Sequence, residues 1–336
     1  MPDMTQRYLL TGCAGFIASK VADRLLHAGH AVVGVDNLND AYDPRLKQWR
    51  LAQLRSQKNF RFHHADITDR AAMEPLFAAD RGQPPFAAVL NLATRAGVRQ
   101  SVSNPWIYYQ ANCTGTLNLL ELCRRSGVRK FLLASTSSLY GRHNEAPYRE
   151  DADTNRPLSP YAASKKAAET LAFTYHHLHG LDISIPRYFT VYGPAGRPDM
   201  SIFRFVRRIA EGEPVIVFGD GAQSRDFTFV DDVAAGTIAA LRPLGYELIN
   251  LGGGRPVRLS AIIQQIAELT GKTPEIEYRP AHPADVPTTW ADVSKAARLL
   301  GWKPQISIED GLRRCVEWYY ANRDMARSLE LVDRQE

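Results

Sequence analysis

The sequence predicts an α/β chain built on a doubly wound parallel sheet: short apolar runs alternate with helical stretches, a glycine turn joins the first run to the first helix, and an acid ends the second run. The first run, Tyr8-Leu9-Leu10, passes into Thr11-Gly12-Cys13-Ala14-Gly15-Phe16-Ile17-Ala18. Glycines there let the backbone approach a pyrophosphate, and a helix beginning at the turn offers it unpaired N–H groups and a positive dipole end. Ile17, Val21 and Leu25 repeat at helical spacing, Ala18 permits close packing, and Gly29 closes the helix. The second run, Ala31-Val32-Val33-Gly34-Val35, ends on Asp36. A carboxylate there accepts hydrogen bonds from an adenosine ribose and repels a 2′-phosphate, which points to NAD rather than NADP. Further strands are expected at Phe60 to His64, Ala87 to Leu92, Phe131 to Ala134 and Ile183 to Ile185. Parallel neighbours need helical crossovers, so this alternation implies a Rossmann-like sheet with helices on both faces.

A domain crossing is expected beyond Arg187, where the chain becomes rich in Pro and Gly through Gly193-Pro194-Ala195-Gly196-Arg197-Pro198. Residues 1–187 are assigned to the NAD-binding domain, with a returning segment near 230–253, and 188–336 to a smaller C-terminal α/β substrate domain. With 45% hydrophobic residues among 336, the chain can fill both cores. No run of 18 apolar residues is present, and the first strand begins too early for a secretory segment, so a cytoplasmic protein with no membrane association is expected. Cys13, Cys113, Cys123 and Cys315 have no metal-ligand spacing and are read as free thiols. A net charge of +5 is spread among interspersed Lys, Arg, Asp and Glu without a basic tail, which suits an anionic small ligand and not nucleic acid. Arg204, Arg207 and Arg208 are read as a solvated helical face. His176, His177 and His179 complement a helix C-terminus before Gly180, and with no carboxylate or cysteine nearby no metal is expected. Asp231 and Asp232 are read as an acidic pair at a helix N-terminus.

The chemistry-bearing pattern is Ser159-Pro160-Tyr161-Ala162-Ala163-Ser164-Lys165. Ser159 is a natural N-cap and Pro160 a natural first helical residue, which puts Tyr161 in the first turn and Lys165 one turn on along the same face. A lysine charge beside a phenol, together with the helix dipole, favours the phenolate and makes Tyr161 a general base for a hydroxyl proton.

Six ordered motifs resemble the extended short-chain dehydrogenase/reductases that act on nucleotide sugars: Thr11-Gly12-x-x-Gly15-x-x-Ala18, Asp66 in Ala65-Asp66-Ile67-Thr68-Asp69, Asn91-Leu92-Ala93, Ser135-Thr136-Ser137-Ser138-Leu139-Tyr140-Gly141, Tyr161-x-x-x-Lys165, and Arg225-Asp226-Phe227-Thr228-Phe229-Val230-Asp231-Asp232-Val233. The resemblance covers nearly the whole chain. It implies NAD contacts from Gly12, Gly15, Phe16, Ile17, Asp36, Asn37, Asp66, Ile67, Leu92, Ala93, Tyr161 and Lys165, with Thr136 orienting the substrate oxygen. Val35-Asp36-Asn37-Leu38-Asn39-Asp40-Ala41-Tyr42-Asp43-Pro44, Ala96-Gly97-Val98-Arg99 and the stretch from Arg187 to Met200 are most similar to UDP-glucuronate 4-epimerases. That similarity implies inversion at carbon 4 through a transient 4-keto sugar, with recycled NAD. Thr190 and Arg197 would hold the carboxylate, the guanidinium by two parallel hydrogen bonds, and Ser137 and Ser138 would complete the clamp. It further implies Arg225 on the pyrophosphate, Asp285 at the uridine, and a homodimer paired through the helices around Trp106 to Leu122 and Tyr161 to Leu178. No acid follows Thr136, which argues against elimination and decarboxylation, with UDP-glucuronate decarboxylase the runner-up. Asn91, Arg95, Gln100 and Ala195 depart from the epimerase pattern and leave a 4-epimerase of another UDP-sugar as an alternative. A non-catalytic NAD-sensing protein would need no Tyr161 base.

Overall fold

The computed structural model describes residues 5–78, 84–281 and 285–331. The main sheet takes β1 (Arg7–Thr11), β2 (Ala31–Asp36), β3 (Phe60–His64), β4 (Ala88–Asn91), β5 (Lys130–Leu133), β6 (Ser135–Thr136), β7 (Asp182–Tyr188) and, after a long excursion, β11 (Tyr246–Leu251). Its order is β11-β7-β5-β4-β1-β2-β3, with β6 also on β7, and every pairing is parallel. Successive strand residues feed opposite faces: Leu10, Val32, Leu90 and Leu132 enter one core, Leu9, Val33, Val89 and Phe131 the other. Burial on both sides is what turns these strands into continuous apolar runs instead of alternating ones. The order reverses between β1 and β4, and the crevice beyond their carboxyl ends is where an open sheet of this kind binds ligands.

The excursion leaves the main sheet at Phe189. It forms β8 (Thr190–Tyr192), β9 (Val215–Phe218) and β10 (Ser224–Phe229); after β11 the chain returns to add β12 (Pro256–Arg258) and β13 (Ile276–Arg279), giving a three-stranded sheet, β12-β10-β8, and a β13-β9 pair. The helices Ser201–Glu211, Leu259–Thr270 and Ile308–Ala321 close a third core over them through Phe205, Val206, Ile262, Ile266 and Leu312. Residues after 290 are divided between the cores: Ala296, Leu300 and Trp302 pack with the main sheet.

Two details differ from the expectations. Arg204, Arg207 and Arg208 are not a solvated face; all three are half-buried, with Arg207 donating to Leu329 O at 2.5 Å, Arg208 to Pro214 O at 2.8 Å, and Arg204 lying 6.0 Å from the Phe218 ring centroid. The helix that carries them is sandwiched, and their aliphatic stems supply packing while the heads of Arg207 and Arg208 reach main-chain carbonyls. Asp232 is more than a dipole partner, because its carboxylate accepts from the N–H groups of Gln305 and Ile306 and so ties a late loop to the helix Val230–Ala239.

The helix Pro160–His179 starts as expected, the Ser159 hydroxyl accepting from Ala162 N at 3.2 Å, and ends at Gly180 in the left-handed region. Its buried stripe runs through Tyr161, Lys165, Ala168, Ala172 and Tyr175 and includes Glu169. Glu169 receives both Arg187 Nε (3.0 Å) and Nη2 (2.8 Å) and the Ser135 hydroxyl (2.6 Å). Arg187, 1% exposed, also donates to the Tyr140 hydroxyl at 3.0 Å, which donates to Asn250 at 2.6 Å. Removing one member of a buried pair leaves the other charge without compensation, so Glu169→Gln should cost about 3–5 kcal/mol in urea unfolding. A loss under about 1 kcal/mol would show that the pair does not hold helix and sheet together.

Candidate active site

The carboxyl ends of the strands open into a cavity of about 440 Å³, and every candidate site residue named above borders it. The glycine turn forms one wall. Gly12 has φ +70°, and a Cβ there would meet Ala93 N at 2.8 Å; a Cβ on Gly15 would meet Gly12 O at 2.8 Å. Only glycine lets this turn lie against the loop after β4. The helix Phe16–His27 begins at the turn with no side-chain cap, so its first N–H groups are available to an anion. These features fit a dinucleotide pyrophosphate.

Asp36 is buried and accepts from Ala14 N (3.1 Å) and Leu38 N (2.8 Å), which fixes its carboxylate at the edge of the cavity. Asn37 donates to Asp66 at 2.6 Å, and Thr68 adds its N–H and hydroxyl to the same carboxylate. Burial works against the Asp66 charge, but these donors outweigh it and hold the group below the usual carboxylate range.

On the opposite wall stand Thr136, Tyr161 and Lys165. Thr136 Oγ1 accepts from Ser138 N at 3.2 Å and lies 3.1 Å from Ser138 Oγ. Tyr161 and Lys165 do share a helix face, but the expected lowering of the phenol is reversed. Burial raises the Tyr161 pKa, opposed by a hydrogen bond with Thr136 and by the Arg197 charge, not by Lys165. The Lys165 ammonium points instead to Thr94 Oγ1 at 3.4 Å, and burial lowers its pKa from 10.5 to about 8. Shared spacing put the two side chains on one face without deciding that their polar ends meet.

Arg197 is half-buried and already holds a carboxylate: Asp199 takes its Nε (3.0 Å) and Nη2 (2.6 Å). The two-pronged edge expected to grip a substrate is therefore occupied, leaving Nη1 as the donor toward a ligand. Burial disfavours the Arg197 charge, yet Asp199 outweighs it and raises the pKa. Arg225 donates to Ser224 O and Pro287 O, and burial lowers its pKa. Asp285 pairs with Arg99, Nη2 to Oδ2 at 2.6 Å. Residues 282–284 of the loop leading to Asp285 lie outside the described residues.

Sequence reasoning gave Lys47 and Arg50 no place at the site, and marked Arg95 only as a departure from the epimerase pattern. Lys47 and Arg50 sit on the helix Pro44–Arg55 among buried Leu46, Leu51 and Leu54. Two cations falling on an apolar stripe were the available signal. Lys47 lies 3.8 Å from Asp36 and lines the cavity. Arg50 ties Ala14 O in the glycine turn to Ala195 O, at 3.2 and 2.6 Å. Arg95 lines the cavity with its Nε buried and without a partner among the described residues, and its Nη1 is 3.8 Å from Asp40. Among those residues no cluster of His, Cys, Asp or Glu could hold a metal ion.

An all-parallel sheet with a glycine turn at its crossover point is the architecture of dinucleotide-binding α/β proteins, and the chain belongs to the family described as GDP-mannose 4,6 dehydratase, which it matches over residues 9–315. A UDP-glucuronate 4-epimerase of Thermodesulfobacterium geofontis is 56% identical over 325 residues, covering 96% of this chain and 99% of the relative. The crystal structure of the UDP-glucuronic acid 4-epimerase from Bacillus cereus in complex with UDP-glucuronic acid and NAD superposes with a TM-score of 0.86 at 35% identity, over 94% of this chain and 99% of that one. The UDP-glucose 4-epimerase of Thermotoga maritima with UDP-glucose gives 0.87 at 33% identity, over 95% and 100%.

The lowered Lys165 pKa has a stability consequence. Below about pH 8 the ammonium is charged in both folded and unfolded chains, and the full cost of burying it is present. Between about 8 and 10.5 the folded chain sheds the proton while the unfolded chain keeps it, so stability rises with pH. Lys165→Met should therefore stabilise the protein at pH 7 by about 1–3 kcal/mol, measured by thermal unfolding without added nucleotide, with the gain shrinking toward pH 10. A less stable variant at pH 7 would overturn this.

Proposed function

We propose that this protein is an NAD-dependent 4-epimerase that interconverts UDP-glucuronate and UDP-galacturonate. The observation that carries the reading is the convergence of Thr136, Tyr161, Lys165 and Arg197 on the cavity that also takes in the glycine turn and Asp36. The relatives that act on UDP-glucuronate support the choice of sugar. When bound, NAD supplies a reversible hydride acceptor for carbon 4. Tyr161 takes the 4-hydroxyl proton and returns it after the sugar has turned its other face. Burial makes the neutral phenol its resting form, and Thr136 and Arg197 favour the anion during transfer. Lys165 binds the cofactor ribose through its remaining ammonium donors. Arg197 Nη1, Thr190, Ser137 and Ser138 receive the carboxylate, restraining loss of carbon dioxide from a 4-keto uronate by keeping the breaking bond out of line with the carbonyl. Arg225 serves the pyrophosphate. Asp285 serves the uridine, with Arg99 setting its orientation.

The same reading makes the protein a cytosolic homodimer. Four cysteines without a disulfide suit a reducing compartment, and no described helix is long and apolar enough to cross a membrane. Trp106 (77% exposed), Tyr109, Leu117, Phe173 and Leu178 leave apolar surface on the helices assigned to the dimer contact.

Proton NMR of the purified protein with UDP-glucuronate should show the galacturonate pattern appearing to a mixture without pentose; a pentose product would make it a decarboxylase. Tyr161→Phe should abolish turnover while NAD stays bound. Arg197→Ala should lower turnover of the uronate by about 100-fold or more, and near-normal kinetics would remove it from the carboxylate site. Light scattering should find a dimer that Trp106→Glu weakens; a monomeric parent would rule the assembly out.

A further inference from the structure

A short hydrogen-bonded chain runs behind Lys165. Thr94 follows β4, is half-buried and borders the cavity. Its hydroxyl donates to Asn112 Oδ1 at 2.6 Å, which turns an oxygen lone pair toward Lys165 Nζ at 3.4 Å. No other hydrogen bond reaches that ammonium from the described residues. The Thr94 hydroxyl's other contact, donating toward Arg95 O at 3.4 Å, is longer and stays within the loop.

Asn112 is 1% exposed and fully committed. Its Oδ1 also accepts from Arg95 N (2.9 Å), and its Nδ2 donates to Arg95 O (3.1 Å) and Ser164 Oγ (2.8 Å). Ser164 in turn donates to Tyr161 O at 2.8 Å. Asn112 lies in the wide π-type turn Gln110–Thr114, where an extra residue per turn lets a side chain reach the β4 loop and the helix Pro160–His179 together. The frame that locks the Thr94 hydroxyl is thus the frame that carries Tyr161 and Lys165.

We propose that Thr94 is a positioning residue for Lys165: its hydroxyl, locked by Asn112, takes one of the three ammonium donors and aims the other two into the cavity. This rests on the site being a dinucleotide site. A lysine on four flexible bonds has large rotamer freedom, and one fixed acceptor reduces what must be lost when the ligand binds. The hydroxyl also favours the charged ammonium. The titratable groups the ammonium faces are Glu169, one turn on along its own helix, and Cys113 from the π-type turn, and both favour the same form. Glu169 is committed to Arg187.

The test uses the full chain and NAD alone, with affinity measured by titration calorimetry from about pH 7 to about pH 9.5. Thr94→Val keeps the shape and removes the hydroxyl; it should weaken NAD binding about three- to tenfold at pH 7 and move the alkaline loss of affinity down by about half a unit or more. Thr94→Ser should restore both, which a purely packing role for the methyl would not do. A valine variant that binds NAD within twofold of the parent, with an unchanged pH dependence, would overturn the proposal. So would a serine variant that behaves like the valine. A parent chain that binds no dinucleotide would sink the cofactor reading itself. A parent that binds NAD but turns over a different sugar would sink only the substrate assignment and leave this test standing.

Discussion

The buried pairing of Arg187 with Glu169 is the contact on which the rest of the site depends. It joins the last inner strand of the main sheet to the middle of the helix that carries Tyr161 and Lys165, and Ser135 ties the same carboxylate to the strand that delivers Thr136. Two charges out of water are costly unless both are fully hydrogen-bonded, and here Tyr140 and Asn250 extend the network to β11. The pair adds little net stability over an apolar contact of the same shape. What it adds is direction, because a bidentate guanidinium–carboxylate geometry tolerates little rotation. Helix, Thr136 and the edge strands are thereby set in one register.

A second set of cations works at the seam between the main sheet and the later residues. Arg50 grips carbonyls of both the glycine turn and the loop around Ala195, which has φ +54° without being glycine. That strained conformation persists because its carbonyl is held and its surroundings are packed. Arg197 is held by Asp199, so the cavity presents an oriented, charge-balanced arginine instead of a free one. Charge balance of this kind lets several cations crowd one cleft without repelling the fold apart.

Much of the site was readable because its parts are local. The glycine turn, the Ser159-Pro160 start and the Tyr161–Lys165 spacing each depend on residues within one or two helical turns, and local sterics decide them. The strand edges moved by one to three residues, as at β4 and β7, because pairing partners and not propensity end a strand. Lys47, Arg50, Asp199 and Thr94 escaped notice for the opposite reason. A basic residue on a helix, or a threonine after a strand, carries no local mark of whether it meets water or a buried partner far along the chain.

The amino-acid order by itself determined the parallel α/β architecture, the place of the pyrophosphate turn and the helix that bears the phenol and the ammonium, because hydrophobic period, glycine and proline act over a few residues. Tertiary structure alone decided where the polar ends of those side chains point. Lys165 turns to Thr94 and not to Tyr161, and Arg197 keeps Asp199 in its two-pronged edge, because each orientation is set by burial and by partners brought close only when distant segments pack.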